Sequence, residues 1–226
     1  QAIFKARQLL PHRRLDPLNL PPDVRVRGIA IHKALERFEQ GASDDTAEGL
    51  LGLLEAELRH GGESEADILA LRDLRREVCG AFLHWRDGHR QQTEGQPQTE
   101  IYGEIDVDVN GSAFKLYGTA DRVELRTDGT AAILDFKSGK PPTERQVRSG
   151  LSPQMPLQGL IARDGGYSEI GPKAVGALTY IRFGTAFDVQ DIGAARAKLE
   201  AKSVEEIIAD AETGLRRLLI AFADPS

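Results

Sequence analysis

The chain has 226 residues, of which 40% are hydrophobic and 28% charged, with 23 glycines and 11 prolines. This balance excludes a low-complexity or disordered polymer and leaves a soluble globular fold, long enough to bury a sizeable core. A single cysteine, Cys79, excludes an intrachain disulfide, a four-cysteine zinc site and a four-cysteine iron–sulfur cluster, and fits a reducing compartment. The net charge of −6 argues against a basic nucleic-acid coat, but it is unevenly spread. Residues 1–40 carry 8 basic and 4 acidic groups, residues 41–80 carry 4 and 10, and residues 115–150 carry 7 and 5. That leaves two readings open, a polyanion at one face or a solvated charge mosaic. No apolar run approaches ~18 residues, so neither a membrane span nor a secretory signal is expected. The opening stretch from Ala2 to Leu10 reads like the middle of a helix, which suggests a piece cut from a longer polypeptide.

In chain order, Ile29, Ala30, Ile31, Ala34, Leu35 and Phe38 recur at helical spacing and predict a helix over residues 27–40, ended by Gly41. Ser43-Asp44-Asp45 is expected to cap a second helix running to Leu58. Gly61-Gly62 breaks it, and Ser64 with Asp67 opens a long third helix through Leu69, Leu71, Leu74, Val78, Phe82 and Trp85 to about His89. From Gln98 the period becomes two, with Ile101, Gly103, Ile105, Val107 and Val109 on one face and Glu100, Tyr102, Glu104, Asp106 and Asp108 on the other. Asn110-Gly111 is a strong hairpin signal. A second strand follows over residues 113–125, a turn at Thr127-Asp128-Gly129, and a third strand over 131–137. Beyond Ser138-Gly139-Lys140-Pro141-Pro142 come a helix over 152–162, a strand over 174–183 and a last helix over 194–223. The expectation is one α/β domain spanning 1–226: a helical part at 1–92, a sheet core at 96–185 and a C-terminal helix at 194–223. Its mixed sheet combines a three-strand antiparallel meander with a later strand, flanked by helices.

Hairpin register turns this pattern into a site. A two-residue loop at Asn110-Gly111 sets Glu100 opposite Asp121, and a three-residue loop with Gly129 in the left-handed position sets Asp121 opposite Asp135. Asp135 and Lys137 are two residues apart and share a face, so Glu100, Asp121, Asp135 and Lys137 should cluster beside Ile133, with Leu134 and Phe136 on the opposite apolar side. Three carboxylates beside one lysine repel one another unless a cation sits among them, and oxygen donors select a hard ion such as Mg²⁺ or Mn²⁺. Strand-edge ion pairs are the plainer reading of the same charges.

Gly28-x-x-x-His32, Gly118-Thr119-Ala120-Asp121-Arg122, Leu134-Asp135-Phe136-Lys137-Ser138-Gly139 and Gln154 follow in that order. The set resembles the PD-(D/E)XK nuclease superfamily in its RecB-like branch. It is most similar to the C-terminal nuclease domain of AddB, a bacterial double-strand break repair subunit. Leu15-Asp16-Pro17-Leu18, the run from Gly28 to Phe38 and Ser152-Pro153-Gln154-Met155-Pro156-Leu157 carry that closer likeness, over about residues 1–185. The resemblance implies a restriction-endonuclease-like core and a Mg²⁺- or Mn²⁺-dependent deoxyribonuclease, with single-stranded DNA the favoured substrate. It implies Asp121 and Asp135 as metal carboxylates, the Phe136 carbonyl and His32 as further ligands, and Lys137 as the group that orients or deprotonates the attacking water. Gln154 would support the site, with Glu100 beside it; Glu36, one helical turn beyond His32, reads equally as an acceptor for the imidazole or as part of a solvated helix face.

Two features depart from the family pattern: Gln158 stands where the Gln-x-x-x-Tyr helix has its tyrosine, and one cysteine cannot hold the iron–sulfur cluster that many related nucleases carry. His12, His60, His84 and His89 lack ligand spacing and read as surface residues. Arg13, Arg14, Arg25, Arg27, Lys140, Arg145 and Arg148 are candidates for the DNA-facing charge. No Walker A motif is present, so an AddA-like helicase–nuclease subunit would supply the motor, in a bacterial cytoplasm. A non-catalytic nucleic-acid-binding or assembly module is the competing function. A zinc protease or serine hydrolase is disfavoured because neither His-Glu-x-x-His nor Gly-x-Ser-x-Gly occurs.

Overall fold

A computed structural model describes residues 22–194 and 200–223. The stretch from Ala2 to Leu10, the Leu15-Asp16-Pro17-Leu18 motif, His12, Arg13 and Arg14 lie outside the described residues. The helical part comprises α1 (Pro22–Glu39), α2 (Ala47–His60), α3 (Glu65–Ala70) and α4 (Arg72–His89). It leads into β1 (Thr93–Val109), β2 (Ser112–Arg126) and β3 (Ala131–Lys137), then α5 (Glu144–Arg148), α6 (Gln154–Arg163), β4 (Val175–Phe183), β5 (Phe187–Asp191) and α7 (Val204–Ala223). The five strands lie in the order β1-β2-β3-β4-β5, with β3 and β4 parallel and every other neighbouring pair antiparallel. This is the expected mixed sheet flanked by helices, with one strand more.

Several boundaries move for local reasons. The cap of α2 is Thr46, whose hydroxyl accepts from the Gly49 N–H, and not the Ser43-Asp44-Asp45 run. The expected long third helix is two, broken at Leu71 (φ −105°, ψ 5°); Leu69 and Leu74, which suggested continuity, are exposed, while Ile68, Val78, Cys79 and Phe82 are buried. The short α5, held by a Thr143–Gln146 capping box, and the edge strand β5 are too brief to show periodicity. The last helix begins at Val204, ten residues later than expected.

The sheet separates two cores. Leu134, Phe136, Ile181 and Phe183 pack against Phe38, Leu51 and Phe82 of the N-terminal helices. Ile133, Leu178 and Tyr180 face Met155 and Leu160 of α6 and Ile207 and Leu215 of α7. The meander has the expected register: Val109 pairs with Ser112, Ile101 with Ala120, Arg122 with Leu134 and Leu125 with Ala131. Gly129 takes φ +83° and closes the three-residue turn, with the Arg126 N–H bonded to the Thr130 carbonyl.

Register shifts between Glu94 and Gln98 at the start of β1, and strict alternation fails again beside Asp121. Glu100 adopts φ +51°, a left-handed conformation rare outside glycine, while pairing continues on both sides of it, Thr99 with Arg122 and Ile101 with Ala120. The phase of the sheet changes here. Ile101 and Ala120 belong to the same apolar core as Val123 and Ile133, and Arg122 and Glu124 turn toward the N-terminal helices. There the fully buried Arg122 guanidinium contacts Glu39 at 2.8 Å and Glu124 at 2.6 Å, and His89 meets the second Glu124 oxygen at 2.6 Å. His89 is therefore a partly buried member of an ion network and not a surface residue. Replacing Arg122 with leucine leaves buried Glu124 with His89 alone and Glu39 with only the 3.6 Å contact to Arg90, and urea unfolding of Arg122→Leu should show a loss of about 3–5 kcal/mol. A loss below about 1 kcal/mol would mean that the network adds little.

Candidate metal and active site

The site is built at the carboxyl end of β3. Phe136 is buried among the N-terminal helices, 6.3 Å ring to ring from Phe82, and this anchor turns its neighbours Asp135 and Lys137 to the other face. The backbone of Phe136 is as important as its ring. Its N–H donates to Asp121 Oδ2 at 2.8 Å, so β2 and β3 are tied by a side-chain bond where their ladder ends. Its carbonyl lies 3.1 Å from His32 Nε2, which brings α1 to the same point. With the Nε2 proton donated there, His32 Nδ1 faces Glu100 Oε1 at 3.7 Å and Asp121 Oδ2 at 3.6 Å. Donor atoms of His32, Glu100 and Asp121 all lie within 4.8 Å of one another.

Asp135 adjoins this group. It is buried, meets Lys137 Nζ at 2.6 Å and accepts from Gln154 Nε2 at 3.3 Å, at the first residue of α6. Lys137 Nζ also lies 5.8 Å from the centre of the Tyr180 ring. Gln158, one turn beyond Gln154, is buried and donates to the Thr119 carbonyl at 2.8 Å, two residues before Asp121. The side chain that replaces the family's tyrosine thus braces the strand carrying Asp121. Neither this contact nor the left-handed Glu100 has a spacing signal in the sequence.

The electrostatics follow from the crowding. Burial, and next the Asp135 charge, push the Asp121 carboxyl up to about 6, against the opposing pull of His32, the Phe136 N–H and Lys137. Burial alone would lower His32, but the carboxylates of Glu100, Asp121 and Asp135 outweigh it and hold the imidazole above its ordinary range. A cluster of oxygen donors that cannot all stay ionised, with one imidazole, fits a hard divalent cation, whose ligands at ~2.0–2.2 Å lie within about 4.4 Å of one another. His32, Glu100 and Asp121, with donor atoms within 4.8 Å of one another, come close to that spacing, and Asp135 borders them.

Other expected residues are placed differently. Glu36 makes no bond to His32; it accepts from the Gln40 amide at 3.2 Å, and the Phe136 carbonyl is the partner of the imidazole. Of the expected DNA-facing cations, Lys140 and Arg145 are exposed and carry no ion pair among the described residues. Arg148 is bound to Glu144 at 2.7 Å and to the Glu200 carbonyl at 2.8 Å, joining α5 to the chain before α7, and Arg27 is paired with Glu63 at 2.9 Å. Both are committed within the fold.

The raised Asp121 also sets a pH dependence. Its folded value, about 6, exceeds the ordinary 3.8. Ionising it therefore lowers stability as pH rises from about 4 through 6, by up to roughly 3 kcal/mol above that range. Asp121→Asn should raise the metal-free melting temperature at pH 8 by roughly 3–8 °C and have little effect at pH 4. An unchanged or lower melting temperature at pH 8, measured in EDTA, contradicts the assignment of strain to this carboxylate.

The PD-(D/E)XK nuclease superfamily model matches residues 3–225. An uncharacterized protein of Rickettsia bellii is 26% identical over 172 residues, covering 73% of this chain and 20% of the relative. An uncharacterized protein of Rickettsia conorii is 25% identical over 174 residues, covering 74% of this chain and 21% of the relative. The chain thus spans about a fifth of the length of these curated relatives. The crystal structure of SSO0001 aligns with a TM-score of 0.30 at 14% identity, covering 83% of this chain and 73% of that one, too distant to inform the site. With a match across nearly its whole length and a mixed sheet that carries the motif residues at one strand end, the chain belongs to the PD-(D/E)XK nuclease superfamily.

Proposed function

We propose that this chain is a Mg²⁺- or Mn²⁺-dependent deoxyribonuclease domain that hydrolyses phosphodiesters, with single-stranded DNA as the favoured substrate. The observation that carries the reading is the Asp121–Asp135 pair, Asp135 buried and Asp121 half-buried, with Lys137 2.6 Å from Asp135. Phosphodiester hydrolysis needs a nucleophile available near neutral pH and positive charge at the phosphorus centre. Asp121 and His32, which with Glu100 have donor atoms within 4.8 Å of one another, would hold the cation together with the adjoining Asp135 and the Phe136 carbonyl. When bound, that ion lowers the pKa of water and neutralises the phosphate charge.

The remaining roles belong to the chain. Lys137 would orient the attacking water or, in its neutral form, take its proton as the new P–O bond forms and the bond to the leaving oxygen breaks, that oxygen gaining a proton from solvent. Gln154 holds the Asp135 carboxylate, and Gln158 holds β2 in place beneath Asp121. Exposed Lys140 and Arg145 would attract the backbone of the strand. The order of the motifs supports a RecB-like, AddB-type setting, in which this domain is one part of a longer bacterial, cytoplasmic protein acting with an AddA-like helicase subunit in double-strand break repair. Its coverage of a fifth of its relatives' length fits a part of a larger protein. No helix among the described residues is long and apolar enough to cross a membrane.

Labelled single-stranded oligonucleotide should be cut with Mg²⁺ or Mn²⁺ and left intact in EDTA. Asp135→Ala should lose both calorimetric Mn²⁺ binding and cutting, whereas Lys137→Ala should keep Mn²⁺ binding and lose roughly 10²–10⁴ in rate. Equal loss of Mn²⁺ binding in both variants would overturn the division of roles. No cutting by the wild-type chain with any divalent ion would favour a binding module that has kept the nuclease fold.

A further inference from the structure

Parallel pairing sets Arg182 of β4 directly beside Lys137 of β3, as it sets Tyr180 beside Asp135. Ile181 and Phe183 enter the core under the N-terminal helices, so Arg182 shares the face of Tyr180, Asp135 and Lys137. The carboxyl ends of parallel strands are where open α/β sheets bind ligands. The next turn is pressed against the chain leaving the site: a Cβ on Gly184 would come 2.3 Å from the Ser138 carbonyl oxygen. Arg182 therefore stands on a fixed base at the rim of the site.

Its guanidinium is poorly used by the fold. Nε is buried and has no hydrogen-bond partner, and the side-chain contact is a long one, Nη2 to Thr185 Oγ1 at 3.4 Å. Asp188 is its cross-strand partner on β5, yet among the described residues no carboxylate comes within ion-pair distance of Arg182. A guanidinium offers five donors in a planar fork, and one long contact to Thr185 leaves the outer Nη donors of Arg182 largely unused by the fold. Contrast Arg122, Arg148 and Arg163, each matched to carboxylates.

We propose that Arg182 is a phosphate-binding residue that holds a second backbone phosphate of the DNA strand, next to the one cleaved at Asp121, Asp135 and Lys137. Neighbouring strands are ~4.8 Å apart, so the β4 position lies one step beyond Lys137 along the line from β2 to β3. A strand laid across the strand ends would meet the carboxylate site first and Arg182 next. The fork geometry matches two phosphate oxygens, which a lysine at the same position would serve only as a point charge. The proposal rests on the nuclease reading.

The test is binding of a fluorescein-labelled oligo-dT to the whole chain in EDTA, across a series of salt concentrations, for wild type, Arg182→Gln and Arg182→Lys. One lost phosphate contact makes the dependence of log affinity on log salt shallower by about 0.7 in Arg182→Gln. Arg182→Lys should keep the wild-type slope with weaker binding, and both variants should keep wild-type Mn²⁺ affinity, which certifies their fold. A single methylphosphonate next to the scissile position should abolish the difference between wild type and Arg182→Gln. An unchanged slope in Arg182→Gln, with wild-type binding intact, overturns the second phosphate site and leaves the nuclease reading standing. Failure of the wild-type chain to bind the oligonucleotide, with or without a divalent ion, overturns both.

Discussion

Two carboxyl groups on adjacent strands, one fully buried and the other half-buried, cannot both stay ionised at low cost unless positive charge is brought to them. Asp121 and Asp135 stand in that relation, and the elements around them answer it. Lys137 lies on Asp135, His32 is drawn toward Asp121, and the Phe136 N–H caps Asp121. These groups reduce the repulsion without removing it, since Asp121 still titrates near 6. On the proposed reading, what remains would serve as affinity for a cation. Such a site would trade stability of the metal-free protein for binding of the ion, as strained functional sites commonly do.

The rest of the architecture fixes that relation in space. The Phe136 ring anchors β3 in the core under the N-terminal helices, while its two backbone polar groups reach β2 and α1. One residue thus sets the spacing of Asp121, His32 and Asp135. On β1, two strands away, the left-handed Glu100 marks a change in the phase of the sheet, where Ala120 and Val123 share one core while Arg122 is buried in the other direction with Glu39 and Glu124. Asp121 sits at that change of phase. The Arg122 network and the Gln158 bond to Thr119 then hold β2 from opposite sides.

Much of this is legible in the sequence because the devices that set it are local. Asn110-Gly111 and Thr127-Asp128-Gly129 determine the register, and register with a period of two places Asp121 near Asp135 and puts Phe136 on the opposite side. The short α5 and β5 are not legible, since five residues carry no reliable period. The continuous third helix is a misreading that exposed leucines invite: Leu69 fits the helical spacing but faces solvent. Long-range polar pairing is the other blind spot. Nothing in the spacing of Arg148 and Glu200, or of His89 and Glu124, distinguishes a committed group from a free one. Glu36 fails for a related reason, as its one-turn offset from His32 is satisfied by the helix while the imidazole takes a backbone carbonyl 104 residues away.

The central claim is that the converging carboxylates form a seat for one divalent ion. It is tested most directly by crystals grown with Mn²⁺ and measured at a wavelength where manganese scatters anomalously. The account predicts a single strong anomalous peak bonded to Asp121 and Asp135, with His32 or the Phe136 carbonyl completing the protein ligands. A map with no peak at these residues in the presence of saturating Mn²⁺, or with manganese bound only elsewhere on the chain, would contradict it.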